Sequence, residues 1–119
     1  MEIWKTIQDY EGYEVSNMGN VRSVDRIVTA GNFTMNKRGK LLNQIHNKRN
    51  DMMQVMLFKG GKKSYKLCYV HRLVAEAFLT NPNNYPLVTH INKDNKDNRA
   101  ENLRYITRSP RMNKALNLI

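Results

Sequence analysis

A single histidine, His90, closes a short apolar run, Pro86-Leu87-Val88, and is followed by a polar loop rich in Asn and Asp from Asn92 to Asn98. Glu101-Asn102-Leu103 then leads into a β-prone run from Arg104 to Thr107. Ser109-Pro110 reads as a helix start, with Ser at the N-cap and Pro at the first helical position. Strand, long polar loop, strand and helix make a small ββα unit, able to hold one histidine beside a metal-bound phosphate. Breaking a phosphodiester requires a deprotonated water, a cation against the charge on the phosphorane, and neutralisation of the departing 3′ oxygen. A neutral imidazole can do the first, because the ordinary histidine pKa lies near the working pH. One hard divalent cation held by a few oxygens can do the other two.

The rest of the chain must position these groups. At 119 residues it is one small domain, or one core with a short appendage. Its formal net charge of +10 and isoelectric point near 10.0 point to a polyanionic partner such as nucleic acid. No apolar run approaches the ~20 residues a spanning helix needs, and Met1-Glu2-Ile3-Trp4-Lys5 does not read as a signal peptide, so no membrane partner is expected. The lone Cys68 excludes an internal disulfide and a cysteine-based zinc site. Between Leu67 and Tyr69 it is expected to be buried and inert, in a reducing, cytoplasmic setting.

In chain order, Tyr13 and Val15 alternate with Glu14 and Ser16 as on a half-buried strand, Asn17-Met18-Gly19-Asn20 signals a turn, and Val21 to Val24 reads as the returning strand. Residues 27–50 are loop-like and basic, with one short strand expected from Lys40 to Gln44. Met52 to Val70 reads as a hairpin turning at Lys59-Gly60-Gly61-Lys62. Leu73, Val74, Ala77 and Phe78 recur at helical spacing, which predicts a helix from His71 to Leu79, ended by Asn81-Pro82. Trp4, Tyr13 and Val15 are expected in the core, and His71 is expected to serve packing or a phosphate contact at the helix start. The phosphate-contact candidates are Lys5, Arg22, Arg26, Lys37, Arg38, Lys40, Lys48, Arg49, Lys62, Lys63, Arg72, Arg108 and Arg111.

His90, Asn98, Glu101-Asn102-Leu103, Tyr105, Ile106 and Thr107 fall in register with a known pattern: the stretch resembles the HNH motif of phage and intron homing endonucleases. Val70-His71-Arg72-Leu73-Val74-Ala75, followed by Ala77-Phe78 and Asn81-Pro82, is similar to the segment directly upstream of that motif. Trp4-Lys5, Tyr10-Glu11-Gly12-Tyr13, Val15-Ser16-Asn17, Gly19 and Val21-Arg22-Ser23 resemble the nuclease-associated module that often precedes HNH domains and is thought to help engage DNA. Related sequences usually carry Gly-Tyr near Asn50-Asp51, which this chain lacks.

The resemblance implies an α+β fold, with a β-rich, DNA-contacting module over residues 1–50 and an HNH-like ββα-metal domain over residues 51–119. It implies a DNA endonuclease, nicking or cutting both strands of double-stranded DNA with Mg²⁺ or Mn²⁺, in the cytoplasm of a bacterium or a phage-infected host. His90 matches the general base and Asn102 the residue that orients it, with Asn98 bracing the loop. The metal ligands depart from the family pattern: Thr89 stands where Asp, Asn or His is usual, and Arg111 where Asn or His is usual, so Asp94 and Asp97 become substitute candidates. Arg111 in the cation's place would give slow, metal-independent cutting. The alternative is an HNH-like protein that has lost catalysis and acts by binding DNA or a host protein.

Overall fold

The structure is a computed structural model. It describes residues 1–58 and 65–118, with the side chains of 26–30 and 35–37 left aside. Strands β1 (Trp4–Ile7), β2 (Tyr10–Ser16) and β3 (Val21–Ser23) form an antiparallel sheet in that order. A separate hairpin follows, β4 (Arg26–Ala30) with β5 (Phe33–Lys37). Strands β6 (Ile45–Asn47), β7 (Met52–Phe58) and β8 (Tyr65–Tyr69) make a second three-stranded sheet. Helix α1 (Val70–Phe78) leads to β9 (Leu87–His90), a 3₁₀ turn (Ala100–Asn102), β10 (Leu103–Ile106) and α2 (Pro110–Ala115). This is the α+β arrangement expected.

Alternation builds the core. Tyr13 and Val15 on β2, and Val55 and Leu57 on β7, point inward because every second side chain of a strand faces the same way. They meet Ile7, Val21, Val70, Leu73, Val74 and Leu103 in one buried cluster. That cluster joins the N-terminal sheet, the second sheet, α1 and the ββα unit, so α1 is the slab on which β9 and β10 rest. Trp4 is only half-buried: its ring carries the Arg22 guanidinium, 4.0 Å from the centroid. Cys68 is half-buried against the core rather than enclosed.

Several expectations change. Residues 27–50 hold strands β4, β5 and β6, whereas Lys40 to Gln44 contributes only a single bridge, Arg22 to Leu41. Strand β1 went unread because Lys5 and Thr6 face solvent and leave Trp4 and Ile7 without a visible alternation. Helix α1 begins one residue earlier than expected and ends at Phe78. Strands β6 and β7 pair across the expected boundary between residues 50 and 51. The expected turn at Lys59-Gly60-Gly61-Lys62 lies outside the described residues.

Candidate functional site

Strands β9 and β10 are antiparallel, with Leu103 opposite His90 and Arg104 opposite Thr89. Directly opposed side chains share a face, so His90 and Leu103 both turn toward α1 and are each 4% exposed. Between the strands the loop doubles back and brings Asn98 against the ring: His90 Nε2 lies 2.6 Å from Asn98 Oδ1, and Asn98 is itself buried. An amide oxygen can only accept, so Nε2 carries the proton and Nδ1 is the basic nitrogen of the neutral ring. The protein thereby selects a tautomer.

Asn102, expected to orient His90, does something else. It closes the 3₁₀ turn ahead of Leu103, and its amide is bonded into the loop. There Asn102 Oδ1 accepts from the Asn92 backbone N–H (3.0 Å), and its Nδ2 donates to Asn92 Oδ1 (2.9 Å) and the Asp97 carbonyl (2.8 Å). The two geometric roles are thus exchanged: Asn98 holds the imidazole and Asn102 braces the loop. Asn98 lies eight positions after His90, and only the loop's reversal brings them together. The density of Asx-forming residues was the available signal: Asn92 and Asp94 each accept a backbone N–H two residues on.

The loop carboxylates expected as metal ligands have partners within the loop. Among the described residues no group of three or more His, Cys, Asp or Glu side chains is placed to hold a metal ion. Both Asp97 oxygens accept from Arg99 (2.8 Å each), and one also accepts from Asn92. Those bonds hold the Asp97 carboxyl down at about 2, well below the usual carboxylate range. Asp94 is exposed and caps Lys96 N–H. Thr89 offers a neutral hydroxyl on half-buried β9, and Arg111 is an exposed cation on α2. Asn113, the nearest amide on α2, is buried and its Oδ1 accepts from the Thr107 N–H and hydroxyl, both at 2.7 Å.

Behind His90 lies His71, in the first turn of α1. It is 6% exposed, its ring centroid is 5.3 Å from that of His90, and its Nδ1 is buried without a hydrogen-bond partner. Burial pushes its imidazole down to about 4, with His90 and Arg72 acting in the same direction. It therefore packs behind the site as a neutral ring and is not at the surface for a phosphate.

The expected phosphate contacts divide. Lys5 Nζ donates to the Ala77 carbonyl (3.1 Å) and sits over the Phe78 ring. Arg22 pairs with Glu14 at 2.8 Å while stacked on Trp4, and Arg72 donates to the Pro86 carbonyl. Arg38, Lys40, Lys48, Arg49, Arg108 and Arg111 are exposed. The side chains of Arg26 and Lys37, and all of Lys62 and Lys63, lie outside the described residues.

A buried histidine at the end of the first strand of a ββα unit, held by an asparagine from the intervening loop, defines a class of site. The chain carries an HNH endonuclease domain: residues 68–112 match the model for HNH endonucleases and residues 2–58 the model for the NUMOD4 motif. It is 38% identical over 121 residues to an uncharacterized HNH endonuclease of Acanthamoeba polyphaga mimivirus, covering 97% of this chain and 26% of that protein. It is likewise 38% identical over 106 residues to the DNA endonuclease I-HmuI of Bacillus phage SP01, covering 87% of this chain and 52% of that one. The solved structure described as DNA binding and cleavage by the HNH homing endonuclease I-HmuI superposes with a TM-score of 0.70 at 32% identity, over 98% of this chain and 59% of that one. The chain thus spans between about a quarter and somewhat over half of the relatives it matches. HNH nucleases generally use a divalent metal. No helix among the described residues is long and apolar enough to cross a membrane.

Proposed function

We propose that this chain is a DNA endonuclease that hydrolyses phosphodiesters of double-stranded DNA with His90 as general base. The observation that carries this is the 2.6 Å contact between His90 Nε2 and Asn98 Oδ1. A base must present one lone pair in one direction, and an amide oxygen on Nε2 leaves Nδ1 to take the proton. Water gives that proton to Nδ1 as its oxygen attacks phosphorus; the bond from phosphorus to the 3′ oxygen breaks, that oxygen takes a proton from solvent water, and Nδ1 returns its proton to solvent. The exposed Arg38, Lys40, Lys48, Arg49 and Arg108 supply the phosphate track. The HNH endonuclease domain, and the DNA binding and cleavage described for I-HmuI, support the same reading.

Mg²⁺ or Mn²⁺ is the cofactor this reading favours, on the general habit of HNH nucleases and not on a ligand set of this chain. The module over residues 1–50 is assigned to DNA contact and residues 51–119 to cleavage, in a bacterial cytoplasm. His90→Ala should lower cleavage of supercoiled plasmid by about 10²–10⁴-fold while DNA affinity stays unchanged. Equal cutting by wild type and variant would remove His90 as the base. No cutting by wild type in any divalent metal would leave binding to DNA or a host protein as the activity.

A further inference from the structure

The loop that carries Asn98 does not hold that residue by itself. Among the described residues no hydrogen bond fixes the Asn98 backbone directly. The nearest anchors are the bond from Asn102 Nδ2 to the Asp97 carbonyl, one residue before, and the bond from Ala100 N–H to the Asn17 carbonyl at 2.7 Å, two residues after. The second anchor comes from the other module. Gly19 lies directly beneath: a Cβ there would stand 3.1 Å from the Asn98 backbone carbon and oxygen and 3.2 Å from its Cβ. Gly19 also has φ of +88°, which side-chain-bearing residues avoid.

The turn that supplies both contacts is tied down on every side. Ser16 Oγ accepts the N–H groups of Met18 and Asn20, and Ser16 N–H donates to the Asn20 carbonyl. Glu2 Oε2 accepts from the Ser16 hydroxyl (2.6 Å) and the Asn20 amide (2.7 Å). Asn17 exchanges hydrogen bonds with Ile3, and Gln44 Nε2 donates to the Gly19 carbonyl at 2.8 Å. A rigid platform therefore abuts the one residue that selects the His90 tautomer.

We propose that the Ser16–Asn20 turn of the N-terminal module is a positioning element of the nuclease site, with Gly19 seated under Asn98 so that the Asn98 amide meets His90. The proposal rests on His90 and Asn98 being base and orienting group. Its consequence is that the module does more than contact DNA: whatever moves the turn moves the base. A Cβ at position 19 would push the Asn98 backbone by a few tenths of an ångström, enough to spoil a bond of 2.6 Å between buried groups.

The test uses the full chain as wild type, Gly19→Ala and Glu2→Ala. The second variant removes the staple on Ser16 and Asn20 without straining the backbone or touching Asn98. Imidazole ¹⁵N spectra report the His90 tautomer, and single-turnover cleavage and DNA affinity are measured alongside. Wild type should show protonated Nε2. Gly19→Ala should show a tautomer mixture and cut about 10–100-fold more slowly at unchanged affinity, and Glu2→Ala should change in the same direction by less. If Gly19→Ala does not fold, Glu2→Ala decides alone. An unchanged tautomer in a folded variant overturns the proposal, even where affinity and cutting fall together, since the turn would then be only a packing or DNA contact. A tautomer that responds in a protein that cuts no DNA keeps the positioning role and removes the nuclease reading instead.

Discussion

His71 and His90 occupy one buried space, and only one of them is held by an amide. An unpartnered imidazole nitrogen inside a core costs least when the ring stays neutral, which is why burial pushes His71 down to about 4. The unfolded chain protonates near 6.5, so its folded pKa is the lower one. The stabilising contribution is complete above pH 6.5 and is lost as pH falls toward about 4, by on the order of 3 kcal/mol. Urea denaturation at pH 7.5 and pH 4 should show that loss, and His71→Leu should remove most of it. Asp97, held at about 2 by Arg99, loses its contribution only below the ordinary carboxylate pKa, so the two windows are separable. None of this was legible in sequence, where His71 reads as a helix-start residue beside the basic Arg72. His90 was legible, because a histidine closing an apolar strand before an Asx-rich loop is uncommon. The exchange of Asn98 and Asn102 was not, since it depends on which way the loop folds. Asn98→Ala should slow cutting and, by leaving the buried His90 Nε2–H without an acceptor, lower the melting temperature. Asn102→Ala, by freeing Asn92 and Asp97 together, should lower the melting temperature as well.

Elements whose period and punctuation agreed were read nearly to the residue. Strand β9, strand β10 and the Ser109 cap fall where Pro86 to Pro110 placed them, and Ser109 Oγ accepts the Met112 N–H. The hairpin of β4 and β5 was missed for a physical reason: Gly31-Asn32, read as loop, is its turn, with Gly31 at φ +62°, and Arg26–Ala30 lacks a strict apolar-polar alternation. The ββα unit also carries the family's metal question. By resemblance Thr89 and Arg111 stand at the ligand positions, one on β9 and one on α2. A neutral hydroxyl and a guanidinium bind a hard cation poorly. Arg111→His, and more so Arg111→His with Thr89→Asp, should raise cutting in Mg²⁺ or Mn²⁺ above wild type. Plasmid nicking across a metal series reads this directly, and a wild type already saturated at low metal concentration would refute it.

The molecule measures 62 × 29 × 24 Å, an elongated body that along B-DNA would span about 18 base pairs at ~3.4 Å each. Its net charge is +10, but the basic residues are not equivalent. Lys5 is bound to α1 through the Ala77 carbonyl and the Phe78 ring, and Arg22 is sandwiched between Glu14 and Trp4. Both keep solvent exposure but also have partners in the chain, joining β1 to α1 and β3 to β1. Arg38, Lys40, Lys48 and Arg49 stand out in solvent, where a cation gains more from a phosphate than from any neighbour in the chain. Removing the two kinds should have different consequences. Lys48→Ala with Arg49→Ala should weaken DNA binding on every sequence and flatten the plot of log affinity against log salt by about 2, one unit per lost phosphate contact. Lys5→Ala or Arg22→Ala should instead lower the melting temperature and leave the salt slope nearly unchanged. Titrations from 50 to 200 mM salt, beside thermal melts, separate the outcomes. If Lys5→Ala flattens the slope as much as an exposed lysine does, its contact with α1 gives way when DNA arrives. In that case the first strand of the N-terminal module, not only its exposed loops, lies on the phosphate track.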